Sequence, residues 1–299
     1  MTTQELLRKV RRIEIKSKGL SEQIFTGEYH SAFKGKGMSF SEVREYQWGD
    51  DVRNIDWNVT ARYDTPYIKI YEEERELTVM LLIDVSPSTV FGTQLSYLQE
   101  PQRKDEILAE ICAVLAFSAM GNQDNVGVIF FTDKIERIIP PKKGKNHSLR
   151  IIREIIDIQP SGKGTDILLA LRTIENVLKK RSIVFLLSDF WHTGASYKEE
   201  LGIVRKKHDV IGLHLYDERE RTLPEGLLFQ AEDAETGATF WIDTTAESVR
   251  AAYQKRFDQN MQQQRDIFKS VGADFVSLST RDSYTKVLKA LFEGRTRFS

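Results

Sequence analysis

The short stretch DVSPS places one carboxylate and two hydroxyls where they can act together. Asp84 ends an apolar run, and Ser86 and Ser88 follow it at alternate positions. A loop with this spacing can turn both hydroxyls toward the point that the Asp84 carboxylate faces. Clustered oxygen ligands of this kind suit Mg²⁺ or Mn²⁺ better than zinc. Taken alone, the stretch is better interpreted as an ordinary turn, because serine and proline are common in turns.

Two distant segments add further oxygens. The glycine-bounded loop SGKGTD (161–166) leads into a helical pattern and carries Thr165, and the apolar run FLLSD (185–189) ends in Asp189. Since Mg²⁺ prefers about six oxygen ligands, a site with few carboxylates leaves room for water or for a carboxylate from outside. We therefore predict a Mg²⁺ or Mn²⁺ site, with some ligands acting through water, formed by Asp84, Ser86, Ser88, Thr165 and Asp189.

The elements that must position these residues alternate between apolar strands and helical segments. Strands that are apolar throughout and separated by helices predict an α/β fold with a doubly wound, mostly parallel sheet covered on both faces. In such sheets, ligands bind at the carboxyl ends of the strands, which is where Asp84 and Asp189 stand. We predict this α/β domain over residues 77–299, with a β-hairpin inserted at 226–243. Residues 1–76 are predicted to form an N-terminal extension of one helix and short strands.

The composition is that of a soluble globular protein. The 299 residues are 40% hydrophobic and 29% charged, and the formal net charge of −1 does not indicate nucleic-acid binding. Cys112 is the single cysteine, so a disulfide within the chain is excluded and a reducing, cytoplasmic location is predicted. No apolar run reaches the roughly 18 residues of a membrane span. We therefore predict no transmembrane segment.

Catalysis is the alternative to binding. A Mg²⁺-dependent phosphohydrolase with a nucleophilic aspartate would usually carry a second acid two residues later, and Ser86 occupies that place. No histidine has the spacing of a metal or catalytic motif, although His192 lies three residues beyond Asp189 and is predicted to border the metal rim. We predict no catalytic residues and keep a Mg²⁺-dependent phosphohydrolase as the alternative.

Two resemblances extend this interpretation. D-x-S-x-S at 84–88, with Thr165 and Asp189 in later loops, resembles the metal-ion-dependent adhesion site (MIDAS) of von Willebrand factor A domains, which have a Rossmann-like fold. Residues 27–76 resemble a bacterial family catalogued as domain of unknown function fifty-eight, whose members join this segment to a von Willebrand A-like domain. Genes of that family often neighbour those of MoxR-type AAA+ ATPases. The resemblance implies an adaptor or assembly factor whose protein partner is such an ATPase or its client.

Overall fold

The computed structural model describes residues 3–25, 38–63, 65–73, 77–90, 103–191, 196–232 and 237–296. Ten strands are described in these ranges: β1 Met38–Glu45, β2 Tyr67–Glu73, β3 Thr78–Asp84, β4 Asn125–Phe131, β5 Ile135–Lys142, β6 Ile183–Ser188, β7 Asp209–Tyr216, β8 Leu228–Glu232, β9 Thr239–Asp243 and β10 Asp274–Ser279. The helices are α1 Thr3–Phe25, α2 Trp57–Tyr63, α3 Lys104–Gly121, α4 Lys145–Asp157, α5 Ile167–Val177, α6 Lys198–Lys207, α7 Glu218–Arg221, α8 Glu247–Ser270 and α9 Tyr284–Thr296.

Six strands form the central sheet in the order β10-β7-β6-β3-β4-β5. All neighbours are parallel except β5, which runs antiparallel to β4 at one edge. From β3 the chain first builds outward through β4 and β5, and it then returns to place β6 on the other side of β3. The strand order therefore reverses between β3 and β6, and ligands bind at such a point in open α/β sheets.

Alternate residues of β3 face two separate apolar layers. Val79, Leu81 and Ile83 belong to a core that includes residues of α3, α4 and α9. Met80 and Leu82 belong to a second core with residues of α5, α6 and α8. Because both faces of the sheet are covered, the central strands β3, β4 and β6 are buried at nearly every position. The predicted doubly wound, mostly parallel α/β fold is confirmed.

Helix α1 packs on the main domain through a small apolar cluster. Val10 is buried with Ala113 and Phe117 of α3 and Ile152 of α4. Strands β1 and β2 pair antiparallel, in agreement with the short strands expected before residue 77. The domain boundary at 76/77 stays a prediction. None of the helices in the described ranges combines the length and the hydropathy that a bilayer crossing requires.

Two elements differ from the sequence-based expectation. Strand β5 was not expected, because Pro140 and Pro141 interrupt its pattern; proline is tolerated there because β5 is an edge strand. The spacing of apolar residues in TDILLALRTIENVLKKR predicts a helix over 165–181, but helix α5 ends at Val177 because Leu178 adopts an extended, buried conformation that leads toward β6. The inserted hairpin is present as β8 and β9, while residues 233–236 of its turn lie outside the described ranges.

His214 of β7 is a buried, neutral histidine. Its ring stacks on Tyr216 and Phe275, and its Nδ1 lies 2.8 Å from the Ser277 hydroxyl oxygen. Burial lowers the pKa of His214 to about 3. Asp189 acts against this shift, whereas Lys104 and Arg265 add to it.

This histidine should make the protein less stable in mild acid. The unfolded imidazole takes up a proton below about pH 6.5 and the folded one does not, so stability is lost as the pH falls. Between about pH 6.5 and about pH 5, the free energy of unfolding of wild type should fall by about 2 kcal/mol more than that of His214→Phe. Urea unfolding at several pH values measures both. Parallel pH dependences of the two proteins would contradict the assignment.

Candidate metal centre

The predicted site lies at the reversal point of the sheet. Asp84 is the last residue of β3, and Asp189 directly follows Ser188, the last residue of β6. The two strands are parallel neighbours, so their carboxyl ends open onto the same edge. Thr165 reaches this edge from the loop before α5.

Asp84 is the centre of the arrangement. Its carboxylate is completely buried and accepts three hydrogen bonds from three different segments. The Ser86 backbone N–H donates to Oδ1 at 2.9 Å, while the Ser188 and Thr165 hydroxyls donate to Oδ2 at 2.6 and 3.4 Å. The distant residues that the sequence places in separate loops therefore converge on one carboxylate.

The charge of Asp84 is poorly compensated. Burial and, after it, the negative charge of Asp189 raise the pKa of Asp84 to about 7, although hydrogen bonds from Ser188 and Ser86 act in the opposite direction. Two buried acids at one edge repel each other unless a cation lies between or beside them. A positive charge at this edge would favour the ionised form of Asp84.

Ser86 and Ser88 lie together on the loop that follows β3. Their hydroxyl oxygens are 2.9 Å apart, and Pro87–Val90 forms a single turn of 3-10 helix that closes the loop. The Thr89 backbone N–H and hydroxyl both donate to the Ser86 carbonyl, at 3.0 and 2.7 Å. The loop is thus held with its two serine hydroxyls side by side.

Glu136 anchors the loop that carries Thr165. Its carboxylate accepts from the backbone N–H groups of Ser161 and Gly162 at 3.0 and 2.7 Å, and from the Ser161 and Thr132 hydroxyls at 3.0 and 2.9 Å. Although burial opposes its charge, these donors lower the pKa of Glu136. Asp166 ends the loop by capping α5 through the Leu169 N–H. Thr165 is therefore held between two anchored positions.

Asp189 occupies a tight turn after β6. Its Oδ1 accepts from the Trp191 N–H at 3.0 Å, and Phe190 between them has a φ of 52°. A left-handed conformation is unusual for a bulky residue and is retained only where the surroundings impose it. Here the Phe190 side chain is fully buried against Phe268 and Phe275, and its N–H donates to the Ser188 hydroxyl.

Three residues of the site were missed by the sequence analysis. Ser188 was passed over although it directly precedes Asp189. Lys104 and Glu220 were also missed: the Lys104 ammonium lies 3.6 Å from Asp189 Oδ2 and 2.7 Å from Glu220 Oε1. Basic and acidic residues at helix ends are normally exposed, so no local signal distinguishes this pair. His192, predicted to border the rim, lies outside the described residues.

The donor set suits a hard cation bound through few carboxylates. The five predicted ligands combine two acids with three hydroxyls, and the structure brings Asp84, Ser86 and Thr165 together directly. Over the ranges that the structure describes, no group of three or more His, Cys, Asp or Glu side chains is arranged to hold a metal ion. A metal at this edge would therefore depend on the hydroxyls as well as on the acids.

Comparison with protein families places this chain in a known family. Residues 42–264 match the model of the family described as "Protein of unknown function DUF58". The chain belongs to the DUF58 family. The predicted family membership is thereby confirmed, and the match includes β3, β6 and every residue of the predicted metal site.

Relatives and solved structures extend the comparison. One relative, named as an uncharacterised protein of Mycobacterium tuberculosis, is 27% identical over 255 residues, covering 83% of this chain and 78% of the relative. The conserved hypothetical protein BatB from Bacteroides thetaiotaomicron aligns with 74% of this chain and 99% of its own, at 17% identity and a TM-score of 0.49. The SpRpn10 VWA domain aligns with 73% of this chain and 95% of its own, at 9% identity and a TM-score of 0.40.

Proposed function

We propose that this protein is a non-catalytic, metal-dependent protein-binding module. A Mg²⁺ or Mn²⁺ ion is held by Asp84, Ser86, Ser88, Thr165 and Asp189, and it captures an Asp or Glu carboxylate of a partner. Following the family resemblance, the partner is a MoxR-type AAA+ ATPase or a client of that ATPase. The proposed location is the cytoplasm, in keeping with the single, buried Cys112.

The convergence on Asp84 is the observation that supports this function. Thr165 and Ser188 are 81 and 104 positions away in the sequence, yet both donate to the same carboxylate oxygen. Random polar residues at strand ends would not be expected to meet in this way. The raised pKa of Asp84 adds a reason for a cation, because the folded protein buries this acid without full compensation.

A bound divalent cation would supply a directional positive charge at the edge of the sheet. Ser88, Thr165 and their loops are partly exposed, so a side chain of another protein can approach from this edge. A carboxylate that docks on a charged, partly desolvated site forms a stronger and more directional contact than one on an ordinary surface. The residues of this chain then act by orienting the incoming group.

The same residues give little support to phosphoryl transfer. Ser86 stands where a second acid would assist a nucleophilic Asp84. The Lys104 ammonium, which would be needed to stabilise a phosphoryl group, is engaged by Glu220 and the Ser88 carbonyl at 2.7 and 3.2 Å. Hydrolysis of a generic phosphoester in Mg²⁺ is therefore not expected.

The proposal is tested with purified components. Calorimetric titration with Mg²⁺ and with Mn²⁺ should show one site on the wild-type protein. Binding to a purified MoxR-type ATPase from the same organism should occur with Mg²⁺ and be lost in EDTA, since the contact depends on the ion. Asp157→Asn, which changes an exposed carboxylate at the end of α4, is the matched control for Asp84→Asn and should behave as wild type.

Two outcomes would overturn the proposal. Binding to the ATPase that is unchanged in EDTA would remove the metal from the contact. Turnover of a phosphoester that requires Mg²⁺ and Asp84 would favour the phosphohydrolase instead.

A further inference from the structure

Lys104 is a buried ammonium surrounded by oxygens of the metal site. Its side chain is 2% exposed, and Nζ lies 2.7 Å from Glu220 Oε1, 3.2 Å from the Ser88 carbonyl and 3.6 Å from Asp189 Oδ2. Burial opposes its charge, but the negative charges of Asp189 and Glu220 prevail, so the pKa of Lys104 is raised. The side chain thus stays charged inside the protein.

The position of this lysine in its helix is unfavourable. Lys104 is the first residue of α3, where the helix dipole disfavours a positive charge. Burying an ammonium also costs several kcal/mol unless oxygens compensate it. These two costs must be offset by a favourable interaction. Among the described residues, the favourable interaction found is the contact of the ammonium with the three oxygens at the site.

Those oxygens belong to three separate segments of the chain. Ser88 follows β3, Asp189 follows β6 and Glu220 lies in α7, directly after β7. Glu220 is itself fixed, because its Oε2 accepts from the Asp217 N–H at 3.0 Å within a capping box. The Lys104 ammonium therefore connects the carboxyl ends of three adjacent strands, including two that carry predicted metal ligands.

With all three acids ionised, the charges of the cluster would balance those of a divalent ion. When Asp84, Asp189 and Glu220 are ionised, three negative charges face the single positive charge of Lys104. Two negative charges remain, which one divalent cation would cancel. Within the described residues, Lys104 is the cation that pairs with Asp189 and Glu220, so without it a divalent ion would bind into a more negative site.

We infer that Lys104 is a tethered counter-cation of the metal site, which holds the acidic loops in place when no divalent ion is bound and opposes the ion when it binds. This inference rests on the proposed metal-binding function. Lys104 makes the site stable without metal and keeps metal binding weak enough to be reversible. It is a positioning residue, since it acts through Asp189 and Ser88.

The test compares Lys104→Met with wild type, with and without metal. In EDTA, Lys104→Met should unfold about 5 °C or more below wild type, because three buried or half-buried acids lose their cation. Saturating Mn²⁺ should remove most of this difference. The affinity for Mn²⁺, measured by calorimetry, should rise about tenfold or more in Lys104→Met, because a nearby positive charge has been removed. Lys179→Met, at an exposed lysine, is the control and should match wild type.

A double variant separates charge from packing. Lys104→Met with Glu220→Gln removes one charge of each sign, so its Mn²⁺ affinity should lie between those of wild type and Lys104→Met. If Lys104→Met does not fold in EDTA, the double variant becomes the test of the role of Lys104. That role then requires the double variant to fold in EDTA and to bind Mn²⁺ at least as tightly as wild type.

The two ideas fail in different ways. If Lys104→Met is as stable in EDTA as Lys179→Met, or binds Mn²⁺ more weakly than wild type, the role of Lys104 is refuted while the metal site stands. If wild type, Lys104→Met and Lys179→Met all fail to bind Mn²⁺, the proposed function is refuted, and so is the opposing effect of Lys104 on the ion.

Discussion

Replacing Asp84 with asparagine should abolish measurable binding of Mg²⁺ and Mn²⁺, with a loss of affinity of about 100-fold or more. Asparagine preserves the volume and one acceptor oxygen, so the Ser86 N–H keeps a partner. The Ser188 and Thr165 hydroxyls can rotate to accept from the new amide. What disappears is the negative charge at the point where three loops meet, and this charge is what attracts a hard cation.

The same substitution should not harm the fold. In wild type without metal, Asp84 is a fully buried acid beside Asp189, and its pKa is raised to about 7. A neutral side chain of the same shape avoids the cost of this buried charge, so Asp84→Asn should be at least as stable as wild type in EDTA at neutral pH. Loss of metal binding without loss of stability is the signature of a functional charge.

Calorimetry and thermal unfolding together check this expectation. Asp157→Asn should leave both measurements unchanged, because that carboxylate is exposed at the end of α4. If Asp84→Asn binds Mn²⁺ with wild-type affinity, the cation site does not include Asp84 and the proposed function is wrong.

Gly162→Ala should weaken both the fold and the metal site. A Cβ at this position would lie 2.7 Å from the Thr132 Cβ, and closer still to the Thr132 hydroxyl and the Asp133 carboxylate. Thr132 is fully buried and cannot move away cheaply. The loop must therefore shift, at a cost of about 2–3 kcal/mol in the free energy of unfolding.

This shift reaches the metal site through Thr165. Gly162 and Thr165 belong to one short loop that Glu136 and Asp166 hold at both ends. Displacing the loop withdraws a hydroxyl from Asp84, so the affinity for Mn²⁺ should fall about tenfold. Urea unfolding and calorimetry measure the two effects.

Gly19→Ala provides the contrast. Apart from its chain neighbours and the backbone of its own helix, no atom lies within 4 Å of a Cβ at this exposed glycine, so alanine should stabilise the protein slightly, by up to about 1 kcal/mol. If Gly162→Ala were as stable as wild type, the loop would accommodate a Cβ at this position without strain, and the prediction would be wrong.

Much of the candidate site could be predicted from the sequence because its signals are local. Asp84 and Asp189 each end a run of apolar residues, and parallel strands bring such ends to one edge of a sheet. Thr165 stands between a glycine-bounded loop and a helix. Each of these patterns extends over fewer than about ten residues, the scale at which strands and helix starts are encoded.

The contacts that complete the site have no such local signal. Ser188 looks like an ordinary strand residue, yet its hydroxyl makes the shortest described hydrogen bond to Asp84. Glu136 belongs to β5, an edge strand that is difficult to predict from the sequence because it contains two prolines. It anchors a loop 25 positions later in the chain. Neither role follows from residue type or spacing.

The sequence by itself determined the alternation of apolar strands and helices, the doubly wound sheet that this alternation requires, and the acids that stand at the strand ends. Only the tertiary structure decided that Lys104 and Glu220, 116 positions apart, meet beside Asp189. The physical reason is that the apolar residues a strand or helix buries recur at a short, regular spacing in the sequence. The pairing of buried charges depends instead on which loops the finished sheet brings together, and on how far each charge is removed from water.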